Sequence, residues 1–445
     1  MKLSPQKAAE ANTRLIFVAL SIISAISIID VLGTRILNFV GPAYSIITSV
    51  FAFIMMFSFF LISWVIVLRL IAPFTPICSS NSSMRLLNLL YRILEISPFA
   101  SSGFVAAIIF ELLQNSSYHM FLIPVATISS YVPALIILSV LILKLIKWFK
   151  SKHDYVMLSY TIAMTTILLN GLVIIVNFPT EMEDYSATRK SAKIQDIITV
   201  VGILHQPNAV AYQFSSFISF VFTWFATALL LRHYSRKTGE VIYWLLVALP
   251  LLYFLGQQPP VFNYLFSAIR DSDPSLYAKL SVFFFGLTKT VGGIFFAIGF
   301  WGMARSINNK TIKNYLRLSG YGILLIFVAT QLSSILVGPY PPFGIIALSS
   351  MALASDLTFV GIYFTALSIA KETNLRIEIS QKVKKLAMLG KIGTAQMEQD
   401  LLKQVKPIIE KHHEREDEIP TSLEEEDIKL FVRQALREVN KRNRH

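Results

Sequence analysis

Apolar residues in this chain run in long unbroken blocks, and ten of the blocks are long enough to cross a bilayer. They lie near 14–33, 44–68, 94–113, 120–146, 155–177, 210–231, 240–257, 280–303, 315–336 and 344–369. About twenty consecutive apolar residues span ~30 Å of hydrocarbon as a helix. Only helices and closed barrels satisfy every backbone group in lipid, and blocks of this length fit helices. The pattern therefore predicts an all-α, polytopic transmembrane helical bundle over 1–371, with a soluble remainder at 372–445. Composition agrees: of 445 residues, 54% are hydrophobic and 15% charged, against about 25% charged in a typical soluble domain.

Charge placement orients the bundle. Lys and Arg resist translocation and collect in short cytoplasmic loops. Here they gather in alternate connections: Lys2, Lys7 and Arg14; Arg69, Arg85 and Arg92; Lys144, Lys147, Lys150 and Lys152; Arg232, Arg236 and Lys237; Arg305, Lys310, Lys313 and Arg317. The intervening connections hold few, among them Arg35, Arg189, Lys190, Lys193 and Arg270. Ten spans with this alternation place both termini in the cytoplasm and the chain in the cell membrane. The formal charge of +13 follows from that orientation, so nucleic acid is not an expected partner; the lipid bilayer is. The first block reads as a retained anchor, since no small-x-small cleavage site follows it. The single cysteine, Cys78, allows no intrachain disulfide.

The blocks differ in character. The second and fourth are uniformly apolar and are expected to face lipid. The third, eighth, ninth and tenth carry small and hydroxylated residues that let helices approach closely, and are expected inside. Ionisable groups within a span are costly and mark interior or water-lined positions. Lys289 and Asp356 lie about ten and thirteen residues deep in two spans of the same direction, so their depths differ by ~5 Å at 1.5 Å per residue. They are the candidate intramembrane polar site, as a buried salt bridge or as a proton or ligand locus. Asp30 and Glu111 sit near the outer ends of their spans and are weaker candidates, expected to reach the interface or a loop.

Three outer features stand apart. GQQPPVF at 256–262 and GPYPPFG at 338–344 share Gly-x-x-Pro-Pro, which reads as convergent turn chemistry or an old duplication of helical hairpins of the kind found in transporters. The long connection 178–209 reads as a structured connector or a lid. Asn115-Ser116-Ser117 fits an N-glycosylation acceptor.

Familiar catalytic chemistry finds no anchor. None of the seven histidines (His119, His153, His205, His233, His412, His413 and His445) lies deep in a span, which disfavours a membrane haem. There is no phosphate loop, no His-Glu-x-x-His and no Gly-x-Ser-x-Gly elbow. No metal site, no cofactor and no enzyme activity are expected.

The tail, 372–445, holds fifteen Lys/Arg and fourteen Asp/Glu. Its apolar residues recur with a helical period at Val383, Leu386, Leu389 and Ile392, and again from Ile428 to Val439. Such amphipathic helices need a partner: each other, a second copy of the chain, or a cytoplasmic protein. KLAMLGKIGTAQMEQDL at 385–401 resembles the start of the dimerisation helix of membrane-bound sensor histidine kinases, through Leu386, Leu389 and Gly390. Gln396-Met397-Glu398 stands where the phosphoaccepting histidine would be, so kinase activity does not follow. The run IGTAQMEQ is also similar to the tail of uncharacterised archaeal multi-pass membrane proteins. Two functions remain open: a non-enzymatic sensory or regulatory membrane protein relaying a signal to the tail, or a secondary transporter with a polar site near the midplane at Lys289 and Asp356.

Overall fold

The computed structural model describes residues 5–40, 46–71, 96, 99–100, 102–114, 119, 121–152, 155–189, 207–256, 259–305, 307, 310–331 and 343–365. Among these there is no strand, and the chain is all-helical as expected. In chain order the helices are α1 Pro5–Val40, α2 Ile46–Ile71, α3 Ser102–Gln114, α4 Leu122–Lys152, α5 Tyr155–Arg189, α6 Pro207–Thr238 and α7 Glu240–Gly256. The short α8 Pro259–Leu265 and α9 Ser267–Ser272 follow, then α10 Pro274–Arg305, α11 Lys310–Ala329, α12 Ile345–Ser349 and α13 Met351–Thr365. Four stretches are long and apolar enough to cross a membrane: Asn12–Gly33, Val50–Leu70, Leu122–Lys150 and Tyr155–Val176. The tail at 372–445, with its amphipathic faces, lies outside the described residues.

Sequence neighbours pack as hairpins. Helix α1 lies along α2, α4 along α5, α5 along α6, and α10 along α11. At the centre, α11 is buried over almost its whole length from Tyr315 to Ala329, apart from Arg317 and Tyr321. Helix α13 is equally enclosed. Their contact is close because glycine faces backbone. A Cβ on Gly361 would stand 2.5 Å from the Ser319 amide nitrogen, and one on Gly322 would stand 2.6 Å from that of Thr358. Aromatic rings fill the adjoining core: Phe220 stacks on Phe254 with centroids 3.9 Å apart and meets Phe296 and Phe327.

The lipid-facing expectation holds for the second block and fails for the fourth. In α2 only 39% of the apolar window is buried, with Phe51, Met55, Phe59, Ile62 and Val65 turned outward. In α4 the share is 61%, because Tyr131, Ala134, Ile137, Leu138 and Leu141 form a full interior stripe. Uniform apolarity hid that stripe: leucine suits lipid and core equally. The third block is less interior than expected, since Gly103, Phe110 and Leu113 are exposed.

Two boundaries also differ. Helix α5 runs on to Arg189, so the first third of the 178–209 connection continues the fifth helix by about three turns. The ninth block, expected to 336, stops being helical after Ala329, and the tenth is interrupted at Ser350 instead of running straight through. Those interruptions create the site described next.

The Gly361 contact yields a direct test. Gly361→Ala forces a methyl onto the Ser319 backbone, and overpacking of this kind costs roughly 1–3 kcal/mol. The thermal unfolding midpoint of the detergent-solubilised protein should fall. Gly302→Ala, where nothing lies within 4 Å of the added carbon, should leave it within error.

Candidate functional site

Where the ninth apolar block stops being helical and the tenth begins, backbone groups are freed inside the bundle, and side chains from α1, α4 and α10 bind them. At the end of α11, the Tyr131 hydroxyl donates to the Ala329 carbonyl at 2.8 Å. Lys289 Nζ donates to the Thr330 carbonyl at 2.9 Å and to Asn170 Oδ1 at 3.2 Å. The Lys289 backbone amide donates to Gln331 Oε1 at 3.0 Å. Asn170 Nδ2 in turn donates to Ser215 Oγ at 2.8 Å. One hydrogen-bonded chain thus joins α6, α5, α10 and the end of α11.

The start of α12 is held from the other side. Gly344 sits at φ +97°, a left-handed conformation that suits glycine, and α12 begins immediately after it. Asp30 Oδ2 of α1 accepts the Ala347 amide at 3.0 Å, so a carboxylate from another helix caps α12. At the far end of α12, Ser130 Oγ of α4 donates to the carbonyls of Leu348 and Ser349, both at 3.0 Å. Ser350 donates its own hydroxyl back to the Ala347 carbonyl at 2.6 Å and its amide to the same oxygen at 3.1 Å. That tight turn separates α12 from α13. A side chain inserted into a helical ladder is a recognised cause of such an interruption.

Why the sequence breaks here is legible after the fact. Pro133 stands inside α4, where it removes the amide that would bond the Ser129 carbonyl. The helix is loosened one turn from Ser130 and Tyr131, the two residues that reach across. Paired serines at 349–350 offer the backbone local alternatives to the helical ladder.

The belt lies off the centre of the bundle. At 1.5 Å per residue, Asp30 is ~24 Å beyond Arg14, Lys289 ~24 Å before Arg305, and Ala329 ~28 Å beyond Lys310. These three basic residues mark one end of the bundle, and the belt sits toward the other.

The sequence-derived candidates separate on this geometry. Lys289, 6% exposed, is in the belt. Asp356 is not its partner: no ion pair joins them, and the Lys289 ammonium bonds Asn170 and Thr330 instead. The physical reason is depth. Gly322 of α11 lies against Ala354 and Thr358, which bracket Asp356, so Asp356 is level with mid-α11 and roughly 10 Å along the bundle from Thr330 at 1.5 Å per residue. It is half-buried there and accepts no hydrogen bond among the described residues. Asp30, expected to reach the interface, is 0% exposed and caps α12. Glu111 does face a loop. It accepts the His119 amide at 2.7 Å and lies 3.1 Å from His119 Nδ1, tying the end of α3 to the start of α4. Of the Gly-x-x-Pro-Pro echo, Gly256 closes α7 and Pro259 opens α8, while Gly338, Pro341 and Pro342 lie outside the described residues.

Sequence reasoning missed Ser130, Tyr131, Asn170 and Gln331. The amides had a usable signal, because Asn170 and Gln331 interrupt otherwise apolar runs as plainly as a charge does. Among the described residues no group of three or more His, Cys, Asp or Glu could hold a metal. No family model, curated protein or solved structure matches the chain.

The pairing pattern sets a prediction for a double-mutant cycle. Lys289→Met and Asp356→Asn should have additive effects on thermal stability, because separated sites couple by less than ~0.5 kcal/mol. Lys289→Met and Asn170→Leu should couple: either change alone strands a buried partner, at roughly 1–3 kcal/mol, and the pair recovers part of the loss. Coupling between Lys289 and Asp356 with none to Asn170 would contradict the geometry.

Proposed function

We propose that the chain is a multi-pass transporter of the cell membrane, a secondary transporter whose polar site is the belt around the interrupted ninth and tenth spans. The observation that carries this reading is the meeting of two freed helix ends inside the bundle, bound by side chains from α1, α4 and α10. Irregular backbone at membrane depth is tolerated only where it is enclosed by protein or lines a cavity. Spans of this kind commonly form solute and ion sites, where half-helix ends present unpaired dipoles. The belt supplies both polarities: the Lys289 ammonium and the Asn170 amide on one side, the Asp30 carboxyl and carbonyls 329, 330, 348 and 349 on the other. A small polar solute carrying both charge types fits that set.

Ten spans with both termini cytoplasmic complete the proposal. The alternation of basic residues supports it. In this topology the belt lies nearer the outer surface. The tail at 372–445 then serves assembly or a cytoplasmic protein contact, and the transport reading does not depend on it.

The transport test is flux into proteoliposomes. Labelled small polar solutes, zwitterions included, should accumulate under a proton or sodium gradient, and Lys289→Met and Asn170→Leu should each lower the rate by tenfold or more. If no solute accumulates, while the isolated tail captures a cytoplasmic protein in a manner changed by variants in the bundle, the sensory reading replaces this one. Topology has its own check. With Cys78 replaced by serine, single cysteines at Asp184 and Ser235 should react with an impermeant thiol reagent from opposite sides; reaction of both from one side would overturn the ten-span arrangement.

A further inference from the structure

Helix α1 carries polar residues at every third position over three turns: Ser21, Ser24, Ser27 and Asp30. Residues three apart form a ridge that winds round a helix, so the line passes from the exposed side at Ser21 to the buried side at Asp30. Several helical serines among the described residues return the hydroxyl to a carbonyl one turn back, as Ser21, Ser58, Ser139, Ser349 and Ser355 do. Ser24 and Ser27 do not. Both hydroxyls are buried without a hydrogen-bond partner, and so is Asp30 Oδ1, the oxygen that does not cap α12. At the open end of the ridge, Ser21 Oγ lies 2.7 Å from the Tyr321 hydroxyl.

We infer that Ser21, Ser24 and Ser27 are a hydroxyl relay delivering a proton to Asp30 Oδ1, and that proton binding there loosens the start of the tenth span. This rests on the transport reading, under which the proton is the coupling ion. Hydroxyls both donate and accept, as a relay requires; because Ser24, Ser27 and Asp30 Oδ1 bond no protein group, water between them closes the relay. A bound metal cation fits less well, because Ser24 and Asp30 are ~9 Å apart along the axis at 1.5 Å per residue, too far to share one ion. The step is a simple addition. A proton joins Oδ1, the carboxylate becomes a neutral carboxyl, and Oδ2 keeps the Ala347 amide without the help of a negative charge. Hydrogen bonds to charged groups are about twice as strong as neutral ones. The cap on α12 therefore weakens on protonation and tightens on release.

The ionisable groups on neighbouring elements leave Asp30 as the carboxyl at this place. Residues 344–350 carry none. On α11, Arg317 lies over the Phe17 ring and Tyr321 meets Ser21, both toward the basic end of α1. On α10, Lys289 bonds Asn170 and Thr330. On α2, Arg69 is in the last turn, again toward that end.

Infrared difference spectroscopy of the full protein in membranes reads the proton directly, with no solute needed. Between acid and alkaline buffers, the wild type should show the carbonyl stretch of a buried protonated carboxyl at low pH. Asp30→Asn should lack that band, while Asp356→Asn should retain it. Sodium at fixed pH should not remove it. Hydrogen exchange at amides 345–350 should be roughly tenfold faster in the acid form, the difference between a charge-assisted and a neutral cap, and Asp30→Asn should hold the fast rate at every pH. Ser27→Ala should slow band formation after a pH jump without abolishing it. Should Asp30→Asn not fold, Asp30→Glu must shift the band. A band that survives at Asp30→Asn, that sodium removes, or that appears without any change in exchange at 345–350 overturns the inference. Flux observed without the band would leave the transport reading standing and sink this one.

Discussion

Buried backbone N–H and C=O groups need partners, and this constraint shapes the interior of the bundle. An unbroken helix meets it internally. Here α11 stops at Ala329 and α12 is separated from α13 at Ser350, so the partners must come from elsewhere. They come from Asp30, Ser130, Tyr131 and Lys289, on three helices that are separated in sequence by up to 317 residues from the backbone they bind. The interruption therefore fixes how α1, α4 and α10 sit around the α11–α13 core. Each of these bonds is also a place where a small change of charge or occupancy can let a helix end move.

That arrangement accounts for the distribution of packing around it. Below the belt, the glycine contacts Gly322–Thr358 and Gly361–Ser319 lock α11 to α13 at backbone distance. A contact this close has no slack. At the belt, short polar bonds replace interlocked surface, and several buried polar atoms, including Thr290 Oγ1 and Asp30 Oδ1, have no partner. A rigid aromatic and glycine-packed half joined to a polar half of exchangeable bonds is a physical basis for motion localised at one end of the bundle.

The sequence disclosed the class and much of the helix order, because bilayer-length apolar blocks separated by charged connections have few other readings. It disclosed Lys289 as an interior group for the same reason: a cation deep in an apolar block must be enclosed. What it could not disclose was pairing. Depth counted from the ends of the apolar blocks placed Lys289 beside Asp356, but those ends do not lie level: α10 begins at Pro274, six residues before its block, and Asp356 packs beside Gly322, well short of Thr330. Asp30 looked interfacial by its distance from the block end, yet α12 folds back to cover it. Burial of α4 was hidden because residues such as Leu138 and Leu141 serve core and lipid alike. Asn170 and Ser130 were legible only in kind, as polar residues in apolar surroundings, not in role.

Under the proposed function, the interrupted helices α11 to α13 are the working part of the protein and open to water during its cycle. Accessibility of a single cysteine at Ser350, with Cys78 replaced by serine, measures this most directly in sealed vesicles. Reaction with a small impermeant thiol reagent should occur from one side at a time, at a rate that changes when the transmembrane proton gradient is reversed. A cysteine at Ser350 that never reacts from either side under any gradient, in protein that is folded and correctly inserted, would contradict it.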